Sequence, residues 1–191
     1  MEKISLTLLV FVSLTCYSQS TSSDSVRLTI SPAVNQEDLL NRRIITTLKL
    51  FLKAKDSSYT ANKYWSKSDF EKYVTPYSEL EEIEMGRLGR YFYKPSLMEI
   101  IPTNNTNQKI VKVAFVGHNN ATNDNLIKAI YNIVATQEKD HVVFSKYLNY
   151  VTQSWKVFSE GSIMYKLSPY KAISKEDVTK QKKDIKALCK F

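Results

Sequence analysis

A chain of 191 residues with a formal charge of +8, 43% hydrophobic and 12% aromatic residues suits one domain with a core of its own. Two cysteines and two histidines exclude a disulfide framework and leave little material for a transition-metal site. The basic residues are scattered, as Arg42-Arg43, Lys53, Lys55, Arg87, Arg90 and then Lys180, Lys182 and Lys183, which describes a solvated surface and not a nucleic-acid tract.

The N-terminus reads as an export signal. Met1-Glu2-Lys3 is followed by an apolar run over residues 4–15, too short for the roughly 20 residues of a membrane span but right for a signal-peptide core. Small residues at Cys16 and Ser18 set cleavage between Ser18 and Gln19. The alternative is a lipid anchor through Cys16, although Ser13-Leu14-Thr15-Cys16 departs from the usual lipobox at two positions. Both routes place the chain outside the cytoplasm, in the periplasm or beyond, so nucleic acid is not an expected partner. No second apolar stretch is long enough to span a membrane. Cleavage removes Glu2 and Lys3 together, keeps the charge at +8, and leaves Cys189 as the remaining cysteine.

Residues 19–34 are rich in Ser and Thr and close on Ser31-Pro32, the pattern of a flexible linker. Asn35 with Asp38 then makes a capping box, worth about 1 kcal/mol. Leu40, Ile44, Leu48 and Phe51 recur at helical spacing, with Leu52 widening the stripe. Ser57-Ser58 ends that helix. Ser66-Lys67-Ser68-Asp69 is a second cap signature, opening a short helix that buries Phe70 and Tyr73 before Pro76 interrupts. Ser78 and Glu81 form a third, with Leu80, Ile83 and Leu88 inward until Gly86 and Gly89 weaken the helix.

From residue 95 the period changes. Residues 97–101 are a short apolar strand between Pro95 and Pro102, 103–108 a polar turn, 110–116 a strand covered on both faces, and 117–125 a polar loop. Residues 126–135 fit either period; Ile127, Ile130, Tyr131, Ile133 and Val134 favour a strand, and 136–140 supplies a hairpin connection into 142–144. Residues 147–158 alternate as a long strand with Tyr147, Val151, Trp155 and Val157 on one side, and 163–167 is a last strand before Ser168-Pro169. Ser174 with Asp177 caps a final helix whose apolar side carries Val178, Ile185 and Leu188. That helix reaches Phe191 with no C-capping residue, which reads as a truncated N-terminal fragment of a longer chain. Helices followed by antiparallel strands make the class α+β. The expected architecture is N-terminal helices packed on a curved antiparallel sheet of about 4–6 strands, plus a C-terminal helix. The expected boundaries are a signal peptide at 1–18, a linker at 19–34, a cone-like domain at 35–168 and a helix at 169–191 that opens a missing second domain.

Catalytic motifs are missing: there is no HExxH, CxxC, GxGxxG, Walker loop or GxSxG. His118 and His141 fall on separate segments without a carboxylate or cysteine at ligand spacing, so no metal and no cofactor are expected. Asn104-Asn105-Thr106 and Asn120-Ala121-Thr122 match the N-glycosylation pattern and are equally turn material. Dense aromatics, among them Tyr64, Trp65, Tyr73, Tyr77, Tyr147 and Trp155, belong mainly to the core, with a stacking surface for sugars or bases as the other use.

The order of a helix, Tyr64-Trp65-x-x-x-Asp69-Phe70-x-x-Tyr73-x-x-Pro76-Tyr77, Lys94-Pro95-x-Leu97-x-Glu99-Ile100, Lys112-x-Ala114-Phe115, Ile130-Tyr131-Asn132-Ile133 and a strand with Trp155 resembles the nuclear transport factor two-like, or SnoaL-like, cone over residues 36–168. It is also similar to the N-terminal region of exported Bacteroidota proteins whose later region resembles a zinc-peptidase domain; no peptidase motif occurs in this chain. The resemblance implies a pocket open at one end, lined by Tyr64, Trp65, Asp69, His118, Asn132 and Trp155. Asp69 has a simpler use in a capping box with Ser66. The expected function is an exported non-catalytic binding or interaction domain for a small apolar ligand or a protein partner. The alternatives are a small lyase or isomerase using Asp69 and His118, and a basic surface protein holding anionic polysaccharide or lipid.

Overall fold

Helix α1 (Leu39–Ala54) starts at Asp38, whose carboxylate accepts the Asn41 amide at 2.8 Å. The cap therefore lies three residues after Asn35, the position expected from the sequence. Asn35 instead takes the Glu37 amide in a local turn. Tertiary contact selects the later cap, because Lys109 Nζ also reaches Asp38 at 3.0 Å. The Asn41 amide and then the Lys109 ammonium hold the Asp38 carboxyl below the ordinary carboxylate range.

The computed structural model describes residues 28–55, 62–84, 92–161, 163–170 and 174–188. The proposed signal peptide, most of the linker, Ser57-Ser58, Gly86, Leu88, Gly89 and Cys189 lie outside those residues. The linker's end is strand: Thr29–Ile30 (β1) pairs in parallel with Ser96 and Leu97 of β2 (Lys94–Pro102). Strands β3 (Gln108–Asn119), β4 (Asp124–Glu138) and β5 (His141–Lys146) follow as an antiparallel meander, in sheet order β1-β2-β3-β4-β5. Register shifts at Leu97/Glu99 and Phe115/Val116 mark bulges, which bend a sheet.

The α1 stripe is buried as the helical period requires, through Ile44, Leu48, Phe51 and Leu52, with Leu40 packed at its margin. It meets Leu97 of β2, Val111, Val113 and Phe115 of β3, Ile133 and Ala135 of β4, and Val142 and Phe144 of β5 in one core. Ala114, Val134 and Val143 point to the other side of the sheet and are buried too, so the middle strands are covered on both faces. The fold is α+β, with helices on a mixed sheet.

Two loops were placed too generously by the sequence. The segment 117–125 is mostly strand: His118 pairs with Asn125 and Asn119 with Asp124, leaving a four-residue turn closed by Asn123 at φ 58°. The 136–140 connection narrows to Lys139-Asp140, with Lys139 at φ 50°. Both sequons, at Asn104 and Asn120, sit on hairpin turns.

The larger correction is at 147–158, which is not one strand. Tyr147–Val151 is a helix (α4), and strand β6 begins only at Lys156. Thr152 explains the change, because its amide and its hydroxyl both bond the Leu148 carbonyl, at 3.0 and 2.8 Å. Those bonds outweigh the strand preference of Tyr and Val. β6 (Lys156–Glu160) and β7 (Ile163–Leu167) form a separate hairpin. Helix α5 (Lys175–Leu188) has the expected capping box: Ser174 Oγ accepts the Asp177 amide at 3.0 Å and donates to its carboxylate at 2.8 Å. Val178 is buried, but Ile185 stays 38% exposed. No helix among the described residues is long and apolar enough to cross a membrane.

Candidate functional site

The site is built on a junction between the short helices and the end of β5. A 3-10 turn (Asn62–Tyr64) delivers Trp65 to Phe144, where Ser66 donates its amide to the Phe144 carbonyl at 2.7 Å. Trp65 then packs against Phe51 at 5.3 Å and Tyr77 at 5.6 Å between ring centroids. It is a core residue, 2% exposed.

Helix α2 (Lys67–Phe70) carries Asp69 inward. The expected capping box with Ser66 is absent: Ser66 makes no side-chain cap bond and its hydroxyl pairs with Ser68. Asp69 is buried and accepts three hydrogen bonds, from Trp65 Nε1 at 2.9 Å, the Lys146 amide at 2.7 Å and Asn149 Nδ2 at 2.6 Å. One carboxylate thus joins α2, β5 and α4. A buried charge is tolerated where its lone pairs are met by donors, and these three meet that requirement.

Over this junction opens a cleft of about 710 Å³, between α3 (Ser78–Glu84), β4 and α4. Its walls include Tyr73, Glu79, Tyr131, Asn132, Lys146 and Tyr147. The Lys146 ammonium pairs with the Glu79 carboxylate and stands 4.7 Å from the centre of the Tyr73 ring. Tyr73 donates to Asn149 at 3.2 Å, which links the wall to Asp69. The Tyr131 hydroxyl lies 3.5 Å from Glu79. Burial first, and the Glu79 charge second, push its phenol well above the ordinary range. Asn132 Oδ1 is buried and, among the described residues, has no hydrogen-bond partner. Val74, at the rim, is fully exposed. The cleft therefore sets tyrosine rings beside a half-exposed carboxylate that is paired with Lys146.

The six residues proposed for one pocket are dispersed. Asn132 lines the cleft, Asp69 lies beneath it, and Trp65 is core. Tyr64 lines a second groove on the outer side of α1. Trp155 is half-buried after α4, its amide on the Thr152 carbonyl, and it lines neither cavity. His118 is exposed near the β3–β4 turn, with Nδ1 3.2 Å from Asn125 Oδ1. Asp69 meets the sheet at Lys146, opposite Ile133. Eight residues of β4 separate Ile133 from His118's partner Asn125, or roughly 25 Å of strand. Asp69 and His118 do not converge.

The sequence reading missed Glu79 and Lys146 because isolated charges on a helix and at a strand end look solvated. Tyr73 stood out as a buried helix residue and Tyr147 as one side of an expected strand, neither as the wall of a site. Among the described residues, no group of three or more His, Cys, Asp or Glu is placed to hold a metal ion. No protein-family model, curated protein or solved structure matches the chain.

Proposed function

We propose that this chain is an exported binding module that takes a small ligand in the cleft between α3, β4 and α4. The observation that carries the reading is the cleft wall itself: Tyr73 and Tyr147 supply apolar faces, and Glu79 supplies a carboxylate whose partner Lys146 is anchored through Asp69. Such a wall suits a ligand with an apolar or ring face and hydroxyl or amine donors, the chemistry of a sugar or an amine. The nuclear transport factor two-like cone remains our proposal for the family, supported by helices layered on one face of a bent sheet. Asp69 does not act as a base in this reading, because it is buried and both its oxygens already accept hydrogen bonds, from Trp65, Lys146 and Asn149.

A thermal-shift screen of mono- and disaccharides and small amines tests the assignment. The expected result is a ligand that raises the melting temperature of the wild type and not of Glu79→Gln or Tyr147→Ala. Stabilisation that survives both substitutions places the ligand elsewhere. Substrate turnover that is lost in Glu79→Gln makes the cleft catalytic and overturns the proposal.

A further inference from the structure

The exposed side of α1 faces a second groove, of about 730 Å³, bounded by the 3-10 turn and the start of β5. Its lining includes Arg42, Arg43, Thr46 and Thr47 from α1, with Lys63 and Tyr64 from the turn. Arg42, Arg43 and Lys63 are exposed, and among the described residues none of them pairs with a carboxylate. Lys63 rests over the Tyr64 ring, 4.9 Å from its centre. Asp140 and His141 close the far wall, so three cations face one carboxylate and one imidazole. Two arginines lining one groove, neither paired with a carboxylate among the described residues, suit carboxylate or sulfate, to which a guanidinium can bond in bidentate fashion.

The groove's length decides between occupants. Leu39 and Leu50 mark its ends along α1, and eleven residues of helix rise about 16 Å. That exceeds a single phosphate or sulfate and matches a stretch of polymer. Two threonine hydroxyls, the Asp140 carboxylate and the Tyr64 ring add partners for sugar hydroxyls and a ring face, which a lone inorganic anion leaves unused. A bilayer surface, being flat, does not fill a concavity. We propose that this groove holds a segment of anionic polysaccharide, with its uronate or sulfate groups on Arg42 and Arg43.

The test uses the full chain against polygalacturonate and dextran sulfate, with neutral dextran and anionic phospholipid vesicles as competitors. Arg42→Gln/Arg43→Gln removes two charges from the groove; Lys180→Gln/Lys183→Gln removes two from exposed positions of α5. Circular dichroism confirms that both variants fold. The expected result is salt-sensitive binding of a charged polymer that falls about tenfold in the groove variant and changes by no more than about twofold in the α5 variant. Equal losses in both variants assign binding to net charge and overturn the proposal. So do binding indifferent to salt, an absence of polymer binding, or a preference for vesicles. The result is independent of the first cleft, whose Glu79 and Tyr147 are untouched.

Discussion

Asp69 reads in the sequence as a surface cap and sits in the structure among the least exposed residues of the chain. Its three donors come from a tryptophan, a backbone amide and an amide side chain. Removing the acceptor strands several of them, and each unmet buried donor costs about 1–3 kcal/mol. Asp69→Ala is therefore expected to lower unfolding free energy by at least about 3 kcal/mol, measured in urea; a loss within about 0.5 kcal/mol contradicts this account. Tyrosines supply the pH dependence. Burial, assisted by Glu81, raises the Tyr77 phenol, and burial with Glu79 raises that of Tyr131. The unfolded chain then gives up these protons first. Stability is intact below about pH 10 and lost as pH rises beyond it. Tyr131→Phe is expected to flatten that alkaline decline, read from denaturation midpoints between pH 9 and 11; an unchanged slope excludes Tyr131 as its source.

At the scale of elements, legibility followed the reach of the interactions. The α1 stripe, the β2–β5 strands and the α5 capping box were readable because period and cap chemistry are local. α4 was not, since its residues favour strand, and Asn149, which ties it to Asp69, answers to a partner 80 residues away in the chain. The cleft was hidden for the same reason: Glu79, Tyr131 and Lys146 lie far apart in the chain and meet only through the sheet. Gly117 is a further case. It looked like the opening of a loop, yet it lies inside β3, and a Cβ there would stand 2.1 Å from the Phe92 ring. Gly117→Ala is expected to displace that ring and cost about 1–3 kcal/mol, with Phe92→Leu restoring part of the loss in the double variant. Failure of that rescue points to the backbone of β3 instead.

For the molecule as a whole, the same carboxylate at Asp69 sets a timescale. Its bonds to Lys146 and Asn149 close loops of 77 and 80 residues, and they require β5 and α4 to be in place. Contacts that close such long loops carry their closure entropy before they reward it, and these two are expected to consolidate late. An interaction made after the barrier lengthens the life of the native state without hastening its formation. Asp69→Asn, which keeps the shape and loses the charge, is thus expected to steepen escape from the native state while refolding proceeds at the wild-type rate. Stopped-flow chevrons separate the two limbs; a slowed refolding limb with unchanged unfolding would place the junction in the folding nucleus instead. The lifetime of the cleft is then governed from beneath it, by a side chain that is not part of its wall.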